Sequence, residues 1–167
     1  MHETLQRLFQ YKARANDELL KQLATLDEDT QTVGLSIKAL SHSYIVDRIF
    51  AAHLRGTSHD YASANASELP KLAALAADIR RSDQEYIDYV ATLRPEQLTE
   101  QIDFSFTDGA PGRMSREEML MHVITHSTGH RGQVSALMIF NALPPSKDGF
   151  TTYLHESEAA SRGRAAA

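Results

Sequence analysis

The chain has 167 residues, 42% of them hydrophobic and 23% charged, and its formal net charge is −5. This length suits one domain with a real core, and the composition is ordinary for a globular protein. The acidic balance and the absence of any cluster of Lys and Arg exclude the electrostatic footprint of a nucleic-acid-binding protein. Because the chain has no cysteine, any metal must be bound by His, Asp or Glu.

The sequence also lacks a pattern for export or membrane insertion. Its first residues, MHETLQRLFQYKARAND, are charged from the start and contain no apolar signal core. No apolar run approaches the roughly 18 residues that a membrane span needs. We therefore expect a cytoplasmic protein with no membrane partner.

The first half of the chain predicts two long helices. Apolar residues recur at helical spacing over about residues 4–26 and again over about residues 36–55. Asn16 falls on the apolar face of the first helix, where a buried amide bonded to a neighbouring helix is the simplest interpretation. Gly56 and the polar stretch that follows it are typical of a loop.

The second half predicts two further helices separated by a short extended segment. Apolar residues at seven-residue intervals indicate a third helix over about residues 69–93. In QIDFSFTDGAPGRMS, apolar and polar residues alternate before a turn sequence, which predicts a small hairpin or extended excursion. A fourth helix begins at Ser115, where Glu118 completes a capping-box pattern, and runs to about Asn141.

Four long helices with little strand predict an all-α fold, a four-helix bundle with the hairpin or excursion between helices three and four. We expect residues 1–155 to form a single domain and residues 156–167 to form a flexible C-terminal tail. The loop after Gly56 and the excursion before Ser115 are both long, so neighbouring helices are free to run parallel.

The fourth helix contains three histidines at four-residue spacing, His122, His126 and His130. Helical residues four apart differ by about 40° in direction and about 6 Å in height, so two imidazoles can meet at one ion. Residues eight apart rise about 12 Å and diverge by about 80°, so His122 and His130 are not expected to share an ion. The spacing leaves two pairs open, His122 with His126 or His126 with His130.

His126 and His130 fall on the apolar stripe that also holds Met119, Val123 and Val134. Burying an imidazole without a partner costs on the order of 1–3 kcal/mol, and a metal ion is an efficient partner for neutral imidazole. The alternative is a set of core histidines satisfied by hydrogen bonds, which is the usual interpretation of one histidine on an apolar face. A histidine pair at this spacing favours the metal.

A third ligand would have to come from another helix. His42 and His53 lie on the second helix, about 16 Å apart along its axis, so one ion cannot use both. His42 is in mid-helix and is the better candidate, since His53 is close to the helix end. His2, His59 and His155 are most simply surface histidines.

The stretches that contain these helical histidines resemble the DinB/YfiT-like superfamily of bacterial metalloenzymes, most closely its damage-inducible DinB branch. They are ALSHSYIVDRIFAAHLRG on the second helix and LMHVITHSTGHRGQVSALM on the fourth. The first helix, with YKARANDELLKQLATL, is also similar to the family pattern. The resemblance extends over about residues 11–154. It implies a four-helix bundle that dimerises in some relatives, so a homodimer is expected.

The resemblance assigns His42, His126 and His130 as ligands of one divalent metal ion, which is nickel, zinc or iron in the family. Three protein ligands leave coordination positions open, as in catalytic sites. His122 matches a family position beside the site and outside the triad. Three departures remove no ligand: Phe50 stands where Trp is common, Thr125 where Asn is common, and Gly129 where a second His is common.

Four more residues are candidates for the surroundings of the site or for substrate contact. Arg131 and Gln133 adjoin the histidines and would orient ligands, contact substrate or simply pack. Arg131 lies about 100° round the helix from His130, which favours an ion pair, with Asp47 as the candidate partner. Tyr153 would cover the metal or be an ordinary buried tyrosine.

These features predict a metalloenzyme acting on a small molecule. Some relatives are thiol-dependent S-transferases, in which a low-molecular-weight thiol binds the metal, and this chemistry needs no protein cysteine. Hydrolysis is disfavoured because no Glu or Asp stands beside the histidine pair, unlike the H-E-x-x-H proteases. The alternatives are a non-catalytic, stress-associated metal or small-ligand binding protein, and a bundle with no metal.

Overall fold

The computed structural model describes residues 2–163 and confirms the predicted four-helix bundle. Its long helices are α1 (His2–Leu23), α2 (Gln31–Arg55), α3 (Leu72–Thr92) and α4 (Arg116–Phe140). Among residues 2–163 there is no helix whose length and apolar character would let it cross a membrane.

The excursion before α4 is an antiparallel hairpin, as predicted. A short 3-10 helix, Pro95–Thr99, leads into β1 (Gln101–Ser105), which pairs with β2 (Pro111–Ser115). In this register Phe104 lies directly opposite Gly112. The hairpin packs against the end of the bundle near the start of α4.

Local capping determines where two of the helices begin. At α4, the Ser115 hydroxyl accepts a hydrogen bond from the backbone N–H of Glu118, whose carboxylate accepts from the N–H of Ser115. This is the predicted capping box. The helix α2 begins five residues before the predicted position, because the Thr30 side chain caps it by accepting from the N–H of Val33.

The helices follow the order α1, α3, α2, α4 around the bundle, so the consecutive helices α1 and α2 lie on a diagonal. The core has two apolar clusters, one at the hairpin end and one at the opposite end. Along every helix, the residues between these two clusters include buried polar or charged side chains. We call this set the charge layer, and its members are Lys12, Asn16, Asp47, Asp83, Ser127 and Arg131.

The core-facing side of α4 differs from the predicted stripe. Met119, Val123 and Val134 are fully buried as expected, but the central core positions are Ser127 and Arg131. The two histidines of the predicted stripe are only half-buried, because they lie one position round the helix, toward α2. Arg131 can take this central position although it is charged, because it forms an ion pair with Asp148.

The C-terminal part of the chain forms a further helix, α5 (Phe150–Ser157), which the sequence did not predict. It packs on α1, and Glu158 just beyond it pairs with Arg7 at 2.7 Å. The helix crosses the predicted domain boundary at residue 155, and that boundary stays a prediction. Of the predicted tail, residues 164–167 lie outside the described part of the chain.

Candidate metal centre

Three histidines from two adjacent helices meet beside the charge layer. His42 projects from the middle of α2, and His126 and His130 project from successive turns of α4. One ring nitrogen of each lies within 4.8 Å of one ring nitrogen of the others. The ring centroids are 4.5 to 5.1 Å apart. The structure thus brings together His42, His126 and His130, as the resemblance implied. The spacing on α4 had left two histidine pairs possible, and the pair that lies beside His42 is His126 with His130.

Hydrogen bonds orient two of the three rings. The Nδ1 of His42 lies 3.0 Å from the backbone carbonyl oxygen of Ala64, and the Nδ1 of His130 lies 2.9 Å from Oε1 of Gln133. Both oxygens accept, so each Nδ1 carries a proton and Nε2 is the ring nitrogen left for a metal. Partners of this kind fix the tautomer and direction of metal-binding histidines. Gln133 therefore contacts the site as predicted, whereas a backbone carbonyl such as that of Ala64 leaves no signal in the sequence.

The third ring, His126, has no such partner. Its Nδ1 is buried without a hydrogen bond among the described residues, and its Nε2 lies 3.2 Å from Nε2 of His130. Burial and then the neighbouring histidines lower the pKa of His126 to about 4. Burial also lowers the pKa of His130. Both imidazoles are therefore neutral near pH 7, which is the form that binds metal.

The residues present fit a metal ion. The cluster has convergent nitrogen donors on three rings, and hydrogen bonds to Nδ1 hold two of these rings in place. Such a three-nitrogen set can hold a divalent ion and leave coordination positions free.

His122 lies next to the triad and outside it. Its ring is stacked between Phe50 and His126, with centroid separations of 4.6 and 5.3 Å. Burial lowers its pKa, so this ring is also neutral near pH 7. His122 can therefore buttress His126 or exchange a proton nearby.

Asp47 and Arg131 belong to the charge layer and make no hydrogen bond to the histidines among the described contacts. Asp47 accepts a hydrogen bond of 2.7 Å from Lys12. Arg131, which is 0% exposed, donates to Asp148 at 2.7 Å and also to Asn16 and Ser127. The predicted ion pair of Arg131 is therefore confirmed, but its candidate partner Asp47 is wrong and the partner is Asp148. Asp148 follows α4 in an irregular segment, where no periodicity indicates its position.

Tyr153 lies on α5, away from the histidines. Its ring contacts Tyr11 and Phe150, and its hydroxyl donates to Gln10. It lines a cavity of about 300 Å³ between α1 and α5 that no histidine borders. Of the two alternatives for Tyr153, covering the metal is wrong, since its contacts are with α1 and α5.

Two histidines outside the triad lie close together at the C-terminal end of α2. The sequence predicted a surface position for one of them, His59, and a position near the helix end for the other, His53. His53 and His59 have ring centroids 5.3 Å apart, and each has one buried ring nitrogen without a partner among the described residues. His53 also faces the ring of Phe104 on β1 at 4.9 Å. It borders a cavity that reaches His42 and His126.

A half-buried cluster of three histidines between helices of a four-helix bundle is a candidate metal centre of a recognisable class. The sequence model of the DinB family matches residues 1–140, so the chain belongs to the DinB family, as its motifs predicted.

Two relatives agree with this assignment. Protein DinB of Bacillus subtilis (strain 168) is 27% identical over 143 residues, covering 79% of this chain and 83% of that protein. The crystal structure of a DinB-like protein from Bacillus cereus has a TM-score of 0.61 at 18% identity, covering 87% of this chain and 95% of that chain. At this identity, the structural likeness shows the fold alone.

Proposed function

We propose that His42, His126 and His130 bind one divalent metal ion and that the protein is a metal-dependent enzyme acting on a small molecule. The observation that supports this most is the convergence of three ring nitrogens within 4.8 Å of one another. Nickel, zinc and iron all accept imidazole ligands, so the donor set is compatible with each of them.

The reaction that we propose is transfer of a group to or from an external low-molecular-weight thiol. A bound metal would supply a site that holds the thiol sulfur as thiolate near pH 7. The thiol has to come from outside because the chain has no cysteine. The chain contributes His122, whose neutral ring borders the same cavity and can accept the thiol proton on a ring nitrogen.

The surroundings of the triad support transfer over hydrolysis. The H-E-x-x-H metalloproteases place a carboxylate beside the metal as general base. Within residues 2–163, the side chains that line the cavity beside the triad include neither Asp nor Glu. Asp47, the charge-layer carboxylate on the same helix as His42, already binds Lys12.

Metal content tests the site directly. The protein is produced without a histidine tag, and bound metals are measured in wild type, His126→Ala and His53→Ala. His53 is the matched control because it borders the same cavity but lies outside the triad. About one ion per chain is expected for wild type and His53→Ala, and its loss for His126→Ala. Sub-stoichiometric metal in wild type that His126→Ala leaves unchanged would refute the assignment.

Turnover separates an enzyme from a binding protein. Metal-loaded protein is assayed with several cellular thiols, each combined with a panel of electrophiles. Thiol-dependent product formation that His126→Ala abolishes is the expected result. Full metal occupancy without turnover of any pair would favour a non-catalytic, stress-associated binding protein. The homodimer and the cytoplasmic location remain predictions.

A further inference from the structure

Two cavities border the histidine triad, and the one on the side of the hairpin has an unusual lining for a site that faces a cluster of imidazoles. It measures about 440 Å³, within the range of small-molecule sites, which is about 300–1,000 Å³. Aliphatic and aromatic side chains from α2 and the hairpin form most of its wall. These are Val46, Ile49, Phe50, Phe104, Phe106 and Met114.

No charged side chain reaches this cavity from the part of the chain that the structure describes. The polar groups in the wall are mainly imidazoles, and burial lowers the pKa of one of them, His53. A charged substrate group placed here would lose its hydration without gaining a counter-ion, which is costly. An uncharged apolar group would displace water from apolar surface, which is favourable.

We propose that this cavity binds an uncharged apolar group of the substrate, preferentially an aromatic ring, and so directs the reacting atom toward His42 and His126. The proposal rests on the metal site only for the position of the reacting atom. The selection of an uncharged apolar group follows from the wall of the cavity alone.

Ala64 connects this cavity to the triad. It lines the cavity, and its carbonyl oxygen accepts the hydrogen bond from Nδ1 of His42. A group that fills the cavity therefore contacts the same loop residue that orients one of the three imidazoles.

The hairpin contributes the specificity-determining feature, a phenylalanine ring that lies over a glycine. Phe104 and Gly112 are cross-strand partners, and a Cβ added at Gly112 would lie 2.4 Å from Cζ of Phe104 and 2.7 Å from its Cε2. Only glycine therefore permits the ring to take this position. The ring faces Phe106 and His53 at centroid distances of 4.9 Å and so forms one wall of the cavity.

Methionine methyl NMR on the full chain tests the proposal, with metal-free and with zinc-loaded protein. The probes are benzyl alcohol, benzoate and benzylamine, which share a ring and differ in charge. Benzyl alcohol is expected to shift the Met114 methyl signal saturably and to leave Met138, in the opposite apolar cluster, unchanged. In the metal-free protein, where no ion can bind a carboxylate or an amine, we expect the two charged probes to bind at least about tenfold more weakly. Equal binding of benzoate to the metal-free protein, or no shift of Met114, would overturn the proposal.

Two pairs of variants locate the binding. Phe104→Ala removes the phenyl ring that forms this wall of the cavity, and Gly112→Ala displaces that ring. Each variant should therefore weaken benzyl alcohol binding by about two- to tenfold. Phe140→Ala is the control for the first, because Phe140 is 87% exposed and does not line the cavity. Gly34→Ala is the control for the second, because its added Cβ meets nothing within 4 Å. Unchanged binding in both hairpin variants, with thermal unfolding showing them folded, would refute the role of this wall.

A cobalt(II) arm separates this proposal from the metal site. Phenylmethanethiol and 2-mercaptoethanol are titrated into cobalt-loaded protein, with the sulfur-to-cobalt absorption band as the readout. Wild type should prefer phenylmethanethiol, and Phe104→Ala should reduce that preference by about two- to tenfold. If cobalt does not bind, the proposed function fails while the benzyl alcohol result stands. If cobalt binds but neither aromatic probe is preferred, the cavity proposal alone fails.

Discussion

Two polar clusters lie at the same level of the bundle, between its two apolar clusters, and they are built in opposite ways. In the charge layer, opposite charges face each other, since Lys12 lies 2.7 Å from Asp47 and 2.5 Å from Asp83. In the histidine triad, like groups face each other, and the Nδ1 of His126 has no partner among the described residues.

The difference separates a structural cluster from a candidate functional one. Buried charges are tolerated when they pair with each other, and Lys12 links α1 to α2 across the diagonal and to α3. Neutral imidazoles that converge without a shared partner leave their binding capacity to something outside the chain. Substitutions in the charge layer should therefore change mainly the free energy of unfolding, and substitutions in the triad mainly the affinity for a ligand.

The largest effect is expected for Lys12→Met, which leaves Asp47 and Asp83 buried without their cation. We expect the free energy of unfolding to fall by about 3–5 kcal/mol, measured by denaturant titration. Lys21→Met is the control, because its pair with Asp17 is exposed and should contribute less than about 1 kcal/mol. Metal bound per folded chain should not change, and its loss would contradict the separation of the two clusters.

A pH-dependent effect of somewhat smaller size is expected from Asp47. Burial is the main cause that raises its pKa from 3.8 to about 6, and one of its oxygens has no partner among residues 2–163. The folded state therefore binds more protons than the unfolded state between these pH values, so Asp47 lowers stability as pH rises from about 4 to about 6. The change is on the order of 2–3 kcal/mol.

Asp47→Asn should remove this dependence. Between pH 4 and pH 7, the stability of the variant should rise relative to wild type by about 2–3 kcal/mol in chemical denaturation. Asp103→Asn is the matched control, since that carboxylate is exposed and its ion pair is long, at 3.5 Å. A parallel course of Asp47→Asn and wild type across this range would show that Asp47 is ionised throughout.

Gln133→Ala tests the triad without removing a ligand. Losing the acceptor for Nδ1 of His130 should weaken metal binding by about 10- to 100-fold, measured by competition with a chelating indicator. Stability of the metal-free protein should stay the same, because the side chain is exposed. Gln84→Ala removes an exposed glutamine that bonds Asp88 and should change neither quantity. Unaltered metal affinity in Gln133→Ala would mean that this hydrogen bond does not orient His130.

The smallest effect is expected for Gly129→Ala, between the two α4 histidines. An added Cβ there meets nothing within 4 Å, so alanine should stabilise the helix by about 0.5–1 kcal/mol. Thermal unfolding measures the gain, and metal affinity should be unchanged. A loss of metal affinity would show that the positions of His126 and His130 depend on the backbone freedom of the glycine between them.

Much of the local architecture was predictable because local residues determine it. The capping box at Ser115 and the alternation around Phe104 each depend on a few neighbouring residues, and both predictions are confirmed. The start of α2 was missed because Gly34 interrupts the helical pattern, while Thr30 caps the helix earlier.

Long-range pairing was not predictable in the same way. Arg131 was given the partner Asp47, yet Asp148 binds it, and Arg131 is fully buried in the core. The same limit applies to Tyr153, whose position depends on α5 packing against α1. Pattern along one helix shows which residues share a face, but the identity of the facing residue depends on how all the helices pack.

The sequence by itself determined the four helices, the hairpin, the exclusion of cysteine chemistry and the spacing that separates His122 from His130. Helical geometry is local and regular, so these conclusions need only the order of residues. Tertiary structure alone decided that α2 lies beside α4, that the carbonyl of Ala64 orients the His42 imidazole, and that an apolar cavity opens next to the triad. Each of those features joins residues from separate elements, so it exists only when the bundle has formed.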